Sequence, residues 1–205
     1  MKKNNIVYWL MIPIAVLIIS SIDMFFVDGT DLVWYEVYLW TAANAVIVFC
    51  IDGVLAFLIR RLPEKWFAVN SKLVHIRKFE NKLYLKLGVK KWRDFVPELG
   101  GFTDFHKDKI YKPNDNEYVA RYILEANYGI VIHISGIIFG FAVIFIPNIR
   151  YALMIGLPVA IVNAIYNEMS TMILRFNLPK LYTLYKRNEK KSAQTSDKAE
   201  TETDK

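Results

Sequence analysis

Four long apolar stretches set the first limit on what this 205-residue chain can fold into. They cover residues 6–26, about 37–59, about 126–146 and about 151–174. Each reaches the roughly 20 residues that a helix needs to cross a bilayer. Their acidic groups are few: Asp23 in the first, Asp52 in the second and Glu168 in the fourth. The apolar character is nearly all-round, whereas a helix on the surface of a soluble bundle is apolar along one stripe. The expected fold is therefore all-α, an integral membrane four-helix bundle with a basic, partly helical cytoplasmic segment. Lys2 and Lys3 ahead of the first stretch raise the possibility of a signal peptide. The apolar run is longer than such segments use and no small-residue cleavage site follows it, so a retained helix is expected.

Charge placement gives the orientation. The chain is 54% hydrophobic yet 22% charged, with a net charge of +6, and the two fractions fit together only if they are segregated. Residues 60–121 carry 15 Lys and Arg, and the tail from Arg175 onward carries eight more. The connection 27–36 holds Asp28, Asp31 and Glu36 without a single Lys or Arg, and the turn between spans three and four has only Arg150. The positive-inside rule then places the N-terminus, the 60–121 segment and the C-terminal tail in the cytoplasm of a multi-pass cell-membrane protein. Topology accounts for the surplus of positive charge, so nucleic acid is not expected as a partner. One cysteine, Cys50, excludes an internal disulfide and any multi-cysteine metal site, and no metal is expected.

Four regions follow: two N-terminal spans (1–59), a cytoplasmic cap (60–124), a C-terminal hairpin with a basic end (125–188) and a charged tail (189–205). The cap is too long for a plain connection. Within it Ile76, Phe79, Leu83 and Leu87 recur at helical spacing, with Arg77, Lys78, Lys82 and Lys86 between them and Trp66 and Trp92 nearby. A basic amphipathic helix of this kind either lies flat in a headgroup layer or packs as a cap on the span ends. Periodicity alone does not separate the two. Pro97, Gly100-Gly101 and the run 113–116 (PNDN) mark turns. The tail has no apolar residue other than alanine after position 190 and is expected to be disordered.

The chain has no glycine-rich phosphate loop, nucleophile elbow or HExxH motif. Its informative residues are polar groups inside the spans, where such groups are costly and usually face the bundle interior or a wet cavity. Glu125 and His133 are eight positions apart, on roughly one helix face and about 12 Å apart along the axis. Span four brings Asn163, Asn167 and Glu168 to about the depth of His133, and Asn163, Asn167, Ser170 and Thr171 form one polar stripe. A functional reading makes His133 a general base, with Asn167 and Glu168 orienting it or binding substrate hydroxyls. The alternative is that His133, Asn163 and Asn167 only bond between helices and hold the bundle together. Asp52 has the same two readings. Asp23 lies near a span end, where exposure is cheap.

Residues 61–67 (RLPEKWF), 90–102 (KKWRDFVPELGGF), the pair Glu125 and His133, and residues 175–181 (RFNLPKL) carry a further signal. Together, over about residues 54–188, they resemble the glycosyl-4,4'-diaponeurosporenoate acyltransferases, small bacterial membrane enzymes of carotenoid glycolipid synthesis. The resemblance implies transfer of a fatty acyl group to a hydroxyl of a glycolipid or related lipid-linked acceptor. It also implies acyl-CoA as donor and co-substrate, with no bound cofactor. Carried over by position, the matching residues are Pro63, Trp92, Arg93, Glu125, His133, Asn167, Arg175, Asn177 and Pro179. On that basis His133 and Glu125 are catalytic candidates, and Trp92, Arg93, Asn167, Glu168, Arg175 and Asn177 are substrate-binding candidates. Two other classes remain open: a non-enzymatic membrane partner or assembly protein, and, more weakly, a transporter, for which four spans without a repeat leave little room.

Overall fold

The computed structural model describes residues 3–27, 29–96, 110–146 and 151–203. Among these residues the regular structure is helical: α1 (Lys3–Phe26), α2 (Trp34–Ile59), α3 (Lys78–Lys86), α4 (Val89–Trp92), α5 (Asn116–Gly140) and α6 (Leu157–Thr203). Trp34–Ile59, Asn116–Phe145 and Ala152–Gln194 are long and apolar enough to cross a membrane. The first apolar stretch is also helical over 24 residues, of which Pro13–Phe26 forms a shorter apolar helix. The expected turn at Pro113–Asn114 is present and leads into α5. There the Asp115 amide donates to the Lys112 carbonyl at 3.2 Å and the Asp115 carboxylate caps the Tyr118 amide at 3.1 Å. Pro97 and Gly100-Gly101 lie outside the described residues.

The chain divides into two compact units. One comprises Met1–Ile59 and Ile132–Glu168, the other Arg60–Val131 and Met169–Lys205. The break after residue 59 falls where the second span was expected to end. The hairpin 125–188 contributes to both units.

The first unit is built inside out. Ser20, Asp23, Thr41, Asn44, Asn163 and Asn167 are buried, while Phe49, Phe57, Ile138, Phe139, Leu153 and Ile165 lie on its surface. An exterior of large apolar groups over a polar interior suits a hydrocarbon surround, where polar groups are cheaper inside the protein than against lipid. Asp23 departs from expectation. It is fully buried and accepts a hydrogen bond from Thr41 Oγ1 at 3.0 Å, because α1 packs the face bearing it against α2. A smaller apolar cluster of Ile19, Val48, Val143, Val159 and Ala160 completes this unit.

The second unit has an ordinary apolar core of Val74, Val119, Tyr122, Ile123, Ala126, Ile130, Leu178 and Leu181. The segment after α2 is fastened to α5 on three points. Phe67, fully buried, stacks on Tyr128 with ring centroids 4.1 Å apart. Asn127 Nδ2 donates to the Phe67 carbonyl at 2.7 Å, and the Tyr128 hydroxyl to the Leu62 carbonyl at 3.3 Å. The RLPEKWF motif is thus a strap held by consecutive residues of α5.

Helix α3 is tied down through a single carboxylate. Glu80 accepts from Arg175 Nε and Nη2, both at 2.8 Å, from the Tyr84 hydroxyl at 3.0 Å and from the Arg77 amide at 2.9 Å. Arg175 Nη2 also donates to the His75 carbonyl at 2.9 Å. Burial alone would raise the Glu80 pKa, but the bonds from Arg175, the Arg77 amide and Tyr84 outweigh it and lower it from 4.5 to about 2.

The tail also differs from its expected disorder, since α6 continues as helix to Thr203. Beyond Pro179 the sequence has neither Gly nor Pro to stop it, and Ala, Glu, Gln and Lys are good helix formers.

Because the Glu80 pKa is depressed on folding, its contribution is complete above about pH 4.5 and is lost as pH falls toward about 2. Thermal unfolding should show the midpoint dropping across that window in the native chain. In Glu80→Gln the drop should be much smaller. Arg175→Met, which strands the carboxylate, should cost about 3 kcal/mol at neutral pH.

Candidate functional site

Polar side chains from three helices meet inside the first unit. His133 comes from α5, Asn163 and Asn167 from α6, and Asp52 from α2. His133 Nδ1 lies 2.7 Å from Asn167 Oδ1. Asn167 Nδ2 faces Asp52 Oδ2 at 3.3 Å, Asn163 Oδ1 at 2.9 Å and the Asn163 carbonyl at 3.1 Å. Asn163 Nδ2 in turn donates to the Gly136 carbonyl at 3.1 Å.

Donor and acceptor counting fixes the role of one ring nitrogen of His133. Three acceptors surround Asn167 Nδ2, so that atom must be the NH2 group and Oδ1 must be the oxygen. An oxygen can only accept, so His133 Nδ1 carries the proton and donates it. In its neutral form the ring then has its lone pair on Nε2, the atom a general base uses. Asn167, 1% exposed, is locked between Asp52 and His133 and transmits the position of one to the other. Asp52 Oδ1 is buried without a hydrogen-bond partner.

Two glycines make room for this cluster. A Cβ on Gly136 would meet Asp52 Oδ1 at 2.6 Å and Asn167 Cγ at 3.1 Å, and one on Gly140 would strike Asn163 Nδ2. The pair is a GxxxG (GIIFG, residues 136–140), a pattern that lets helices approach closely within a membrane. It was the available signal that α5 presents a contact face here. Nothing in the sequence states which residue of α2 meets that face, so Asp52 could be placed only by the fold. Along α2, Ile47, Cys50, Ile51, Val54 and Leu55, with Phe139 of α5, line an apolar groove of about 300 Å³.

The remaining candidates divide between the units. Glu168 follows Asn167 on α6 and is half-buried in the first unit. Glu125, Trp92, Arg93, Arg175 and Asn177 belong to the second unit. The Glu125 carboxylate is bound by Arg60 at 2.6 Å and Arg121 at 3.2 Å. Trp92 Nε1 donates to the Leu87 carbonyl at 2.9 Å, closing the turn from α3 to α4. Arg93 pairs with its neighbour Asp94 at 3.2 Å, and Arg175 holds Glu80. Asn177 is half-buried on α6. Of the eight candidates, His133 and Asn167 share a direct hydrogen bond. Glu125, Trp92 and Arg175 hold contacts that stabilise the second unit.

The family model for glycosyl-4,4'-diaponeurosporenoate acyltransferase matches residues 63–187, more than half of the chain. The chain belongs to this family. No curated protein and no solved structure matches it. The matched range of the acyltransferase model holds all eight candidates named from the sequence, whereas Asp52 and Arg60 lie before it.

If Gly136 is the space in which the cluster assembles, Gly136→Ala should destabilise the protein by about 1–3 kcal/mol, the usual cost of overpacking. Gly53, on the same helix as Asp52, has open space around its Cβ position. Gly53→Ala should be neutral or add up to ~1 kcal/mol through helix propensity. Unfolding in detergent micelles, followed by circular dichroism, separates the two outcomes.

Proposed function

We propose that this chain is a four-span membrane acyltransferase. It moves a fatty acyl group from acyl-CoA to a hydroxyl of a glycolipid or related lipid-linked acceptor. In this reading α1, α2, α5 and α6 each cross the cell membrane, with both termini and the 60–121 segment in the cytoplasm. The charge asymmetry between residues 60–121 and residues 27–36 supports that orientation. Membership of the acyltransferase family supports the reaction class.

The observation that carries the assignment of His133 is its hydrogen bond to Asn167, backed by Asp52. A base whose Nδ1 proton is held by a fixed acceptor presents Nε2 in one orientation, the arrangement general-base catalysis needs. His133 Nε2 would take the proton from the acceptor hydroxyl as its oxygen attacks the thioester carbonyl. The tetrahedral oxyanion would collapse, breaking the carbon–sulfur bond, and the imidazolium would return its proton to the departing CoA thiolate. Asn167, with its NH2 group engaged by Asp52 and Asn163, acts as a positioning residue in this scheme. Arg93 and Asn177, further candidates of the family pattern, belong to the second unit and take no step in this scheme. The apolar groove along α2 offers a surface for the acyl chain.

Purified protein incubated with labelled acyl-CoA and a bacterial lipid extract should yield an acylated glycolipid. His133→Ala should lower that turnover by about 10²–10⁴-fold, the usual contribution of a general base, with little change in thermal stability. Unchanged turnover in His133→Ala would remove the catalytic assignment. Absence of any acylated product from the native chain would favour a non-enzymatic membrane protein, in which the same polar bonds only hold helices together.

A further inference from the structure

The periodicity of α3 admits two placements, and its burial pattern selects between them. A cap helix packs its apolar face inward. Helix α3 does the opposite: Glu80 and Tyr84 are buried, each 7% exposed, whereas Phe79, Leu83 and Leu87 are 56%, 44% and 47% exposed. The two bonds from Arg175 to Glu80 impose this orientation, because turning the apolar stripe inward would pull the carboxylate away from Arg175. Lys82 and Lys86 are exposed beside the stripe, and Lys90 and Lys91 of α4 are exposed as well. Between residues 76 and 93 the one acidic residue is Glu80, which is turned inward and neutralised by Arg175. From residue 76 to residue 92 the outward surface therefore combines an apolar stripe with a row of cations, and the nearest exposed carboxylate in the chain, Asp94, is paired with Arg93.

We propose that α3 is an interfacial helix that seats on the anionic surface of a lipid leaflet. Phe79, Leu83 and Leu87 enter the boundary between headgroups and acyl chains, and Lys82 and Lys86 meet the lipid phosphates. Short basic helices with a Phe/Leu stripe bind membranes by this combination of buried apolar area and attraction to anionic lipid. Snorkelling lets the lysine stems lie along the apolar boundary while their ammonium groups stay at the headgroups. The Glu80–Arg175 pair sets which way the helix faces. The proposal rests on the membrane-spanning part of the reading above and is independent of acyl transfer.

The test uses the full chain in proteoliposomes containing phosphatidylglycerol, with single nitroxide labels in a Cys50→Ser background. Labels are placed at Leu83→Cys, at Lys82→Cys and, as a marker of the spans, at Val54→Cys, whose side chain is exposed on α2. Collision rates with oxygen and with a water-soluble nickel chelate report immersion in lipid. The label at 83 should be oxygen-accessible and shielded from the chelate, while that at 82 remains accessible to the chelate. Replacing Lys82 and Lys86 with Gln should shift the equilibrium toward the lifted state about fivefold per lysine. A similar loss of shielding is expected in vesicles of phosphatidylcholine alone.

If the label at 54 is immersed and the label at 83 is open to the chelate, the interfacial placement is wrong while the spans stand. Shielding at 83 that develops only after acyl-CoA is added would assign the face to that ligand and also overturn the proposal. Equal shielding in neutral and anionic vesicles would remove the role of the lysines. A label at 54 open to the chelate would instead overturn the membrane-spanning reading on which the proposal rests.

Discussion

The constraint on which the first unit depends is the exchange of inside for outside. Its surface carries Phe49, Phe57, Ile138 and Ile165, and its interior carries Ser20, Asp23, Thr41, Asn44, Asn163 and Asn167. In water this distribution would leave large apolar areas exposed. In hydrocarbon it removes the driving force of apolar burial, and association falls to close packing and interhelical hydrogen bonds. Such bonds average about 0.6 kcal/mol, so no single one holds the helices together. Gly136 and Gly140 matter because they let several of these bonds form at one level. Without a Cβ on either, Asn163 and Asn167 reach α5 while Asp52 reaches Asn167.

The second unit rests on a different balance. It has an apolar core around Ile123, Ile130 and Leu178, and its charged groups work at the edges of that core. Breaking a buried pair is expensive because it leaves one charge behind, whereas the pair itself need not be very stabilising. Glu80 and Arg175 therefore contribute as much to orientation as to stability. Two of the bonds to this carboxylate come from Arg175 on α6, which leaves α3 with one way to face. Glu125 has a comparable place between Arg60 and Arg121, and Arg60 also lies over the Tyr128 ring, 5.7 Å from its centroid. The strap 61–67 is thereby joined to α5 by apolar stacking, hydrogen bonds and charge together.

Much of the helical plan was legible in the sequence because its signals are local. Length and all-round apolarity marked the long helices, and Pro113 with Asn114 marked the turn into α5. The polar stripe on α6 was legible for the same reason, and Asn163 and Asn167 do share one network. What could not be read depends on register between helices distant in the chain. Asp52 meets Asn167 across 115 positions, and Arg175 meets Glu80 across 95. Hydrophobic periodicity also left the facing of α3 open. It located the helix correctly but carries no information on which face a neighbouring arginine claims. Asp23 was misjudged on similar grounds, since proximity to a span end says nothing of the Thr41 hydroxyl beside it.

The residues that carry the family signal separate into two kinds by what they touch. Pro63 belongs to the strap, Trp92 closes the turn after α3, Arg175 holds Glu80, and Glu125 is enclosed by arginines. These contacts are explained by architecture, and a family pattern built on them would report a shared fold as readily as a shared reaction. His133 and Asn167 are different. Their bond lies in the unit whose interior is polar, where a histidine is costly to place. It leaves Nε2 outside the bond and is backed by a carboxylate that precedes the matched segment. An architectural role for His133 would be met as well by any residue that donates one hydrogen bond to Asn167. A second ring nitrogen, set in place by the first, is what a glutamine or serine would not provide. That difference is what the proposal for His133 rests on, whereas the Glu125 carboxylate is already engaged by Arg60 and Arg121.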